Sequence, residues 1–252
     1  MNDKTGNKTI QAVDRAVEIL RCFEQGDTLG VTEISRRLDL HKSTAFGLIN
    51  TLVSNRLLEK APDSEKYRLG IELFRLGSKA QSGIREICAP HVKQLMEVTG
   101  ETANLVLPDG GNVVYVDKRE SQHSMRICTS VGLRLPMYCT AVGKAILAFM
   151  NDKEREAIIG DMQFASRTEK TITSKEALLE QLDRIKQDGY AIDDEELEYG
   201  LICVAVPILG KSGEPIAAIS VSGPKPRMTK EKIREVHNEL MTRSNDISRV
   251  TE

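Results

Sequence analysis

Three stretches carry side chains whose types and spacing could do chemistry. The first is an acidic run, Asp193, Asp194, Glu195, Glu196 and Glu198. Paired carboxylates can move protons or hold a metal, but both tasks need a defined separation and usually a partner such as His. No His lies near this run, so a solvated loop just after a predicted strand is the plainer reading for most of it. The second stretch is LRLPMYCTAVGKAILA, residues 133–148. Thr140 is a good N-cap, and the small Ala141 and Gly143 would leave the first amides of the following helix open, which makes an anion site. A capped core helix with small residues for close packing fits the same letters equally well. Gly143-Lys144 is no phosphate loop, because Tyr138 stands where that motif needs its first glycine. Ser220 and Ser222 alternate within the apolar run IAAISVSG. Strand periodicity puts both on one face, lining either a pocket or a satisfied core.

The third stretch is basic. Residues 32–56 carry Arg36, Arg37, Lys42 and Arg56 against Glu33 and Asp39. Arg36 and Arg37 would end one helix, and Lys42, Ser43 and Thr44 would open the next. A recognition helix offers its N-terminal residues to the major groove, while hydroxyls, backbone amides and cations meet phosphates. A small helical module that binds protein through the same surface is the competing reading. The five cysteines, Cys22, Cys88, Cys128, Cys139 and Cys203, are dispersed without a C-x-x-C pair, against a disulfide framework or structural zinc. A Cys-nucleophile hydrolase using Cys139 or Cys203 would need a base, yet His41, His91, His123 and His237 are scattered and sit in no motif. Neither catalysis, a metal nor a cofactor is expected.

The elements that must position these residues follow from composition and period. The chain has 252 residues, 40% hydrophobic and 29% charged, with net charge −2, enough for one large or two modest domains. Aromatics are 4% and Trp is absent, against a carbohydrate-stacking surface. No apolar run approaches the ~18 residues of a membrane helix, and the polar start MNDKTGNKT lacks a signal-peptide core. A cytoplasmic protein with no membrane partner is expected. Residues 9–25 form a predicted amphipathic helix whose apolar face is Ile10, Val13, Val17, Ile19, Leu20 and Phe23. A second short helix follows, with Thr32 as its capping type and Ile34 and Leu38 inward. The third, residues 42–55, turns Ala45, Leu48, Ile49 and Leu52 inward. Residues 57–69 change to strand period around Pro62-Asp63-Ser64-Glu65, a hairpin turn. Three helices and a hairpin make a winged helix-turn-helix. A helix over 71–81, diluted by Gly77, Ser78, Ser82 and Gly83, reads as a linker. Beyond it come helices at 84–98, 141–150, 175–187 and 229–247, and strands at 102–107, 113–118, 125–129, 201–209 and 216–222. Helices flanking an antiparallel or mixed sheet make an α+β, sensor-like domain.

Together these motifs resemble the IclR family of bacterial transcription regulators. VDRAVEILRCF, VTEISRRLDLHKSTAFGLINTL and KYRLG resemble its winged helix-turn-helix. GLRLPMYCTAVGKAILA, GYAIDDEELEYGLICVAVPI and AAISVSGP resemble its effector-binding, GAF-like domain, in the family's order and over nearly the whole chain. The resemblance implies a DNA-binding domain at 1–70, a linker helix at 71–83, and an effector-binding and oligomerisation domain at 84–252. It implies a regulator that dimerises through its N-terminal domains, often pairs into tetramers, and answers to a small organic acid. By motif, the effector pocket would be lined by Ile127, Leu135, Ala141, Val142, Asp193, Leu201, Cys203, Ser220 and Ser222. Amides of Ala141 and Val142 would take a carboxylate, Ser220 and Ser222 would add donors, and Asp193 would accept from a hydroxyl and repel a second carboxylate. The expected effector is therefore a monocarboxylate bearing hydroxyl or keto groups, such as a keto or sugar acid, and the expected role is repression of a catabolic operon. One position departs from the family: Gly47 stands where an Arg is usual. Either affinity for the operator is lower, or the operator is read differently, through Lys42, Ser43, Thr44, Phe46 and Asn50 beside Arg36 and Arg37, with Lys66 and Arg68 of the hairpin reaching the backbone. A ligand sensor acting on protein partners is the alternative.

Overall fold

The computed structural model describes residues 9–24, 26, 28–79, 82–127 and 130–251. They fall into two compact units, residues 1–82 and 83–252, each with its own apolar core.

The first unit begins with α1 (Gln11–Arg21), α2 (Val31–Arg37) and α3 (Lys42–Ser54), followed by a two-stranded hairpin of β1 (Leu58–Lys60) and β2 (Tyr67–Leu69), then α4 (Ile71–Gly77). Its core is Ile19, Phe23, Leu29, Ile34, Ile49, Leu52, Leu58 and Tyr67. Leu29 adds a bridge to the hairpin by exchanging two backbone hydrogen bonds with Tyr67, of 3.0 and 2.8 Å. The expected apolar face of α1 divides in two. Ile19 and Phe23 are buried, whereas Ile10, Val13 and Val17 are 70, 57 and 41% exposed. At 100° per residue the two sets lie on neighbouring stripes, which simple three- and four-residue steps count as one. Thr32 does not cap α2. The N-cap is Gly30, whose amide donates to Glu33 Oε2 at 2.7 Å, so the carboxylate in the first turn supplies the capping bond.

The second unit opens with α5 (Ser82–Thr99), β3 (Thr102–Asp109) and β4 (Asn112–Arg119). A short β5 (Arg134–Pro136) and a 3₁₀ turn (Met137–Cys139) lead into α6 (Ala141–Phe149), α7 (Asp152–Gly160) and α8 (Lys175–Asp188). β6 (Ala191–Asp194), β7 (Leu201–Leu209), β8 (Pro215–Pro224) and α9 (Lys230–Val250) complete it. The six strands form one sheet in the order β5-β4-β3-β8-β7-β6, every pair antiparallel. Strand period sorts the side chains into two layers. On β8, Ala217, Ile219 and Val221 pack with Cys88, Val92 and Leu95 of α5 and with Val236, Leu240 and Ile247 of α9. On the opposite face Ala218 joins Val106, Val113 and Ala205 beneath α6 and α8. Residues 125–127, expected in a strand, lie outside any strand, and 128–129 lie outside the described residues. The strand β5 and the helix α7 were not expected, and β6, the strand expected before the acidic run, extends into it. Asp193 and Asp194 therefore sit within a strand rather than in the loop after one, paired with Cys203 and Ile202.

Candidate functional site

In the second unit the sheet and α6 enclose a cavity of about 340 Å³. The structure brings all nine pocket residues carried over by motif to its wall: Leu135 from β5, Ala141 and Val142 from α6, Asp193 from β6, Leu201 and Cys203 from β7, Ser220 and Ser222 from β8, and Ile127 from the preceding loop. Tyr115, Leu133, Arg167 and Leu197 line it too and were missed, while Thr140 and Glu198 were singled out only as a helix cap and as part of the acidic run. Tyr115 had only strand period to mark it, and Leu133 lies just before β5, outside any strand. Arg167 lies in a stretch with no period at all.

The helix start is built by its cap. Thr140 Oγ1 accepts from the Gly143 amide at 3.2 Å and donates to Pro136 O at 3.0 Å. Gly143, whose amide is expected to be open, therefore has that amide consumed by the cap. Its lack of a side chain serves packing instead: a Cβ there would fall 2.3 Å from Met137 Cα and 2.5 Å from Met137 O. Ala141 and Val142 both line the cavity, and their amides, at the first two helical positions, have no intrahelical acceptor. Across the sheet Asn104 Nδ2 donates to Ser220 Oγ at 3.3 Å and Ser222 Oγ at 3.4 Å, which orients both hydroxyls.

Asp193 is 1% exposed. Its Oδ1 accepts from the amides of Glu196, at 2.7 Å, and Leu197, at 3.3 Å, while Oδ2 is buried without a partner. Burial pushes the carboxyl up to about 7, against the pull of those amides and of Lys144. Lys144 is itself fully buried. It donates to Gln181 Oε1 and to Ile192 O, both at 2.8 Å, and pairs with Glu196. Together these bonds tie α6 to α8, to β6 and to the turn after it, so the acidic run is in part a structural clamp. In the middle of the run, Glu195 is held well below the usual carboxylate range, at about 2, by Lys225 and Lys170. Burial raises the Cys139 thiol to about 11 and pushes the Cys203 thiol up as well, so neither is a ready nucleophile. Among the described residues no group of His, Cys, Asp or Glu could hold a metal.

In the first unit, Lys42, Ser43, Thr44, Phe46 and Asn50 are all exposed on α3, while Ala45, Ile49 and Leu52 are buried beneath them. His41 caps the helix, its Nδ1 accepting from the Ser43 amide at 3.3 Å. A Cβ on Gly47 would meet nothing within 4 Å, so packing does not demand glycine there. Arg36 is exposed at the end of α2, whereas the Arg37 guanidinium donates to Cys22 O at 3.0 Å and so braces the end of α1. Hairpin cations are paired: Lys66 with Glu33 at 3.5 Å, Arg68 with Glu59 at 2.7 Å, and Lys60 with Glu65 at 3.0 Å.

Comparison with known proteins agrees across both units. Residues 12–62 match the family described as the IclR helix-turn-helix domain, and residues 78–249 that described as the bacterial transcriptional regulator IclR C-terminal. The chain is 34% identical over 242 residues to the HTH-type transcriptional regulator KdgR of Escherichia coli K12, covering 95% of this chain and 92% of that one. Among solved structures, the Thermotoga maritima IclR aligns with a TM-score of 0.77 at 34% identity, covering 96% and 99% of the two chains. An IclR homologue from Microbacterium hydrocarbonoxydans, solved with 4-hydroxybenzoate, shares the fold with a TM-score of 0.84 at 24% identity over 96% and 99%.

Proposed function

Because the chain belongs to the IclR family of DNA-binding transcriptional regulators and is not an enzyme, we propose that it is a repressor whose hold on its operator is released by a small hydroxy or keto monocarboxylic acid. The observation that carries this reading is the cavity itself. Ala141 and Val142, whose amides have no intrahelical acceptor, stand on one wall, oriented serine hydroxyls on another, and Asp193, with one carboxylate oxygen left without a partner, completes the polar lining. Amides and hydroxyls suit a carboxylate, while an ionised or neutral Asp193 takes the hydroxyl or keto end. The 4-hydroxybenzoate held by the Microbacterium homologue is also a hydroxyl-bearing monocarboxylate.

We assign DNA contact to the exposed N-terminal half of α3, with Arg36 beside it. Phosphate contacts from Lys42 and Arg36 set position, and Ser43, Thr44, Phe46 and Asn50 face the bases. The hairpin cations Lys66 and Arg68 are offset by their own acidic partners, so they steady the domain rather than dominate affinity. Residues 1–70 form the DNA-binding domain, 71–83 the linker, and 84–252 the effector domain. The uncovered stripe Ile10, Val13 and Val17 fits dimerisation of the N-terminal domains, with a homodimer or homotetramer as the working assembly. No described helix is long and apolar enough to cross a membrane, and an operator-binding protein works in the cytoplasm. The test is operator binding by the full chain, titrated with keto and hydroxy acids. Release by at least one acid at concentrations that calorimetry shows to occupy the protein supports the reading. Occupancy without any change in operator affinity overturns it.

A further inference from the structure

The cavity has an unbalanced charge. Its ionised lining would consist of Asp193 and the exposed Glu198, both acidic, but for Arg167. Lys144 lies close by, yet its ammonium is already consumed by Glu196, Gln181 and the Ile192 carbonyl. The Arg167 guanidinium makes no hydrogen bond or ion pair with a described residue, although its backbone amide and the residues beside it are held. Arg167 N donates to Thr171 Oγ1 at 3.0 Å, and the Thr168 amide donates to the same oxygen at 2.8 Å. Thr168 Oγ1 and Thr171 Oγ1 in turn donate to the carbonyls of Glu195 and Glu196, at 2.6 and 2.7 Å. Two residues before Arg167, Ala165 exchanges two hydrogen bonds with the Tyr138 hydroxyl, of 2.8 and 3.0 Å. The segment is thus stitched to the turn that follows Asp193 and to the 3₁₀ turn that precedes α6. A fixed backbone carrying an unengaged, permanently charged fork at a cavity wall is a preorganised anion contact.

We propose that Arg167 is an effector-binding residue that, with the amides of Ala141 and Val142, grips the carboxylate and makes the cavity choose acids over their neutral counterparts. This rests on the reading of the cavity as an effector site. Position supports the shared grip, since the Arg167 charge opposes the rise of the Cys139 thiol two residues before α6. The guanidinium also removes the electrostatic objection to an anion entering beside Asp193 and Glu198. A carboxylate held by both a helix start and a fork leaves the hydroxyl end to Asp193 and the serines.

The experiment uses the full chain and three matched pairs: pyruvate and pyruvamide, gluconate and gluconamide, 4-hydroxybenzoate and 4-hydroxybenzamide. Calorimetry gives each affinity for the parent, Arg167→Gln and Arg167→Lys at fixed pH, with thermal unfolding to check that the exposed substitutions leave folding intact. The parent should bind at least one acid more tightly than its amide. Arg167→Gln should weaken that acid about tenfold to a hundredfold while leaving the amide unchanged. Arg167→Lys should fall between, since it keeps the charge but loses the fork. An unchanged acid-to-amide ratio in Arg167→Gln, or an equal loss for acid and amide, overturns the role of Arg167 while leaving the effector site standing. If no acid binds the parent, the effector reading fails and this assignment with it.

Discussion

Replacing Asp193 with Asn should make the empty protein more stable and a worse receptor. The carboxyl is buried at 1% exposure, and burial lifts its midpoint from the ordinary 3.8 to about 7. At about 1.36 kcal/mol per pH unit, holding it ionised costs the folded chain on the order of 4 kcal/mol at pH 8. The folded carboxyl keeps its proton to higher pH than the unfolded one. The penalty is therefore absent below about pH 4, grows as pH rises toward 7, and is complete above it. Asn keeps an oxygen for the amides of Glu196 and Leu197 and carries no charge. A gain of roughly 2–4 kcal/mol at pH 8 is expected, at ~2–4 °C of melting temperature per kcal/mol for a unit of this size. The same change puts a donor where Oδ2 would accept, so a hydroxyl-bearing acid should bind about tenfold or more weakly, a loss of ~1–3 kcal/mol. Scanning calorimetry of parent and variant from pH 5 to 8.5 without ligand reads the first effect, and acid titration the second. Equal melting at pH 8, or a gain that fails to shrink toward pH 5, would refute the argument from burial.

Arg36→Ala and Lys42→Ala should each weaken binding to every duplex alike and lower the salt slope by ~1, read by fluorescence anisotropy in a salt series; a slope untouched in both variants removes them from the phosphate contacts. Lys144→Met should cost ~3–5 kcal/mol by leaving Glu196 charged and buried alone, and adding Glu196→Leu should recover most of it. Urea midpoints test this, and a harmless Lys144→Met would mean the pair is not a clamp. Gly143→Ala places its Cβ against Met137 backbone and should cost ~1–3 kcal/mol or more while weakening acid binding. A variant that melts with the parent would show that α6 can shift without loss.

Much of this was legible in the letters because long elements announce themselves. The helices α8 and α9 and the strands β7 and β8 carry sustained period, and Ser220 and Ser222 share a face as alternation requires. What was hidden has physical reasons. β5 has three residues and β6 four, too short for a pattern, so Asp193 read as loop. Nothing local marks Lys144 as buried and paired, because its partners, Gln181 and Glu196, lie 37 and 52 residues downstream. Arg167 belongs to a segment fixed by threonine side chains and a distant tyrosine, bonds that leave no periodic trace. On α1 the period was correct, but two adjoining stripes share it and only one is covered.

The strand order has a mechanical consequence. Leu135 on β5 and Asp193 on β6 occupy opposite rims of a six-stranded sheet, yet both border one cavity of about 340 Å³. In a flat sheet, five spacings of ~4.8 Å would hold those rims ~24 Å apart. The sheet must curl for them to share a small molecule, and whatever fills the space acts as a strut that sets the curvature. The two rims are also the shortest strands, each hydrogen-bonded along one edge only. Occupancy should therefore slow amide exchange at both margins together, while the central strands β3 and β8, already paired on both sides, report little change.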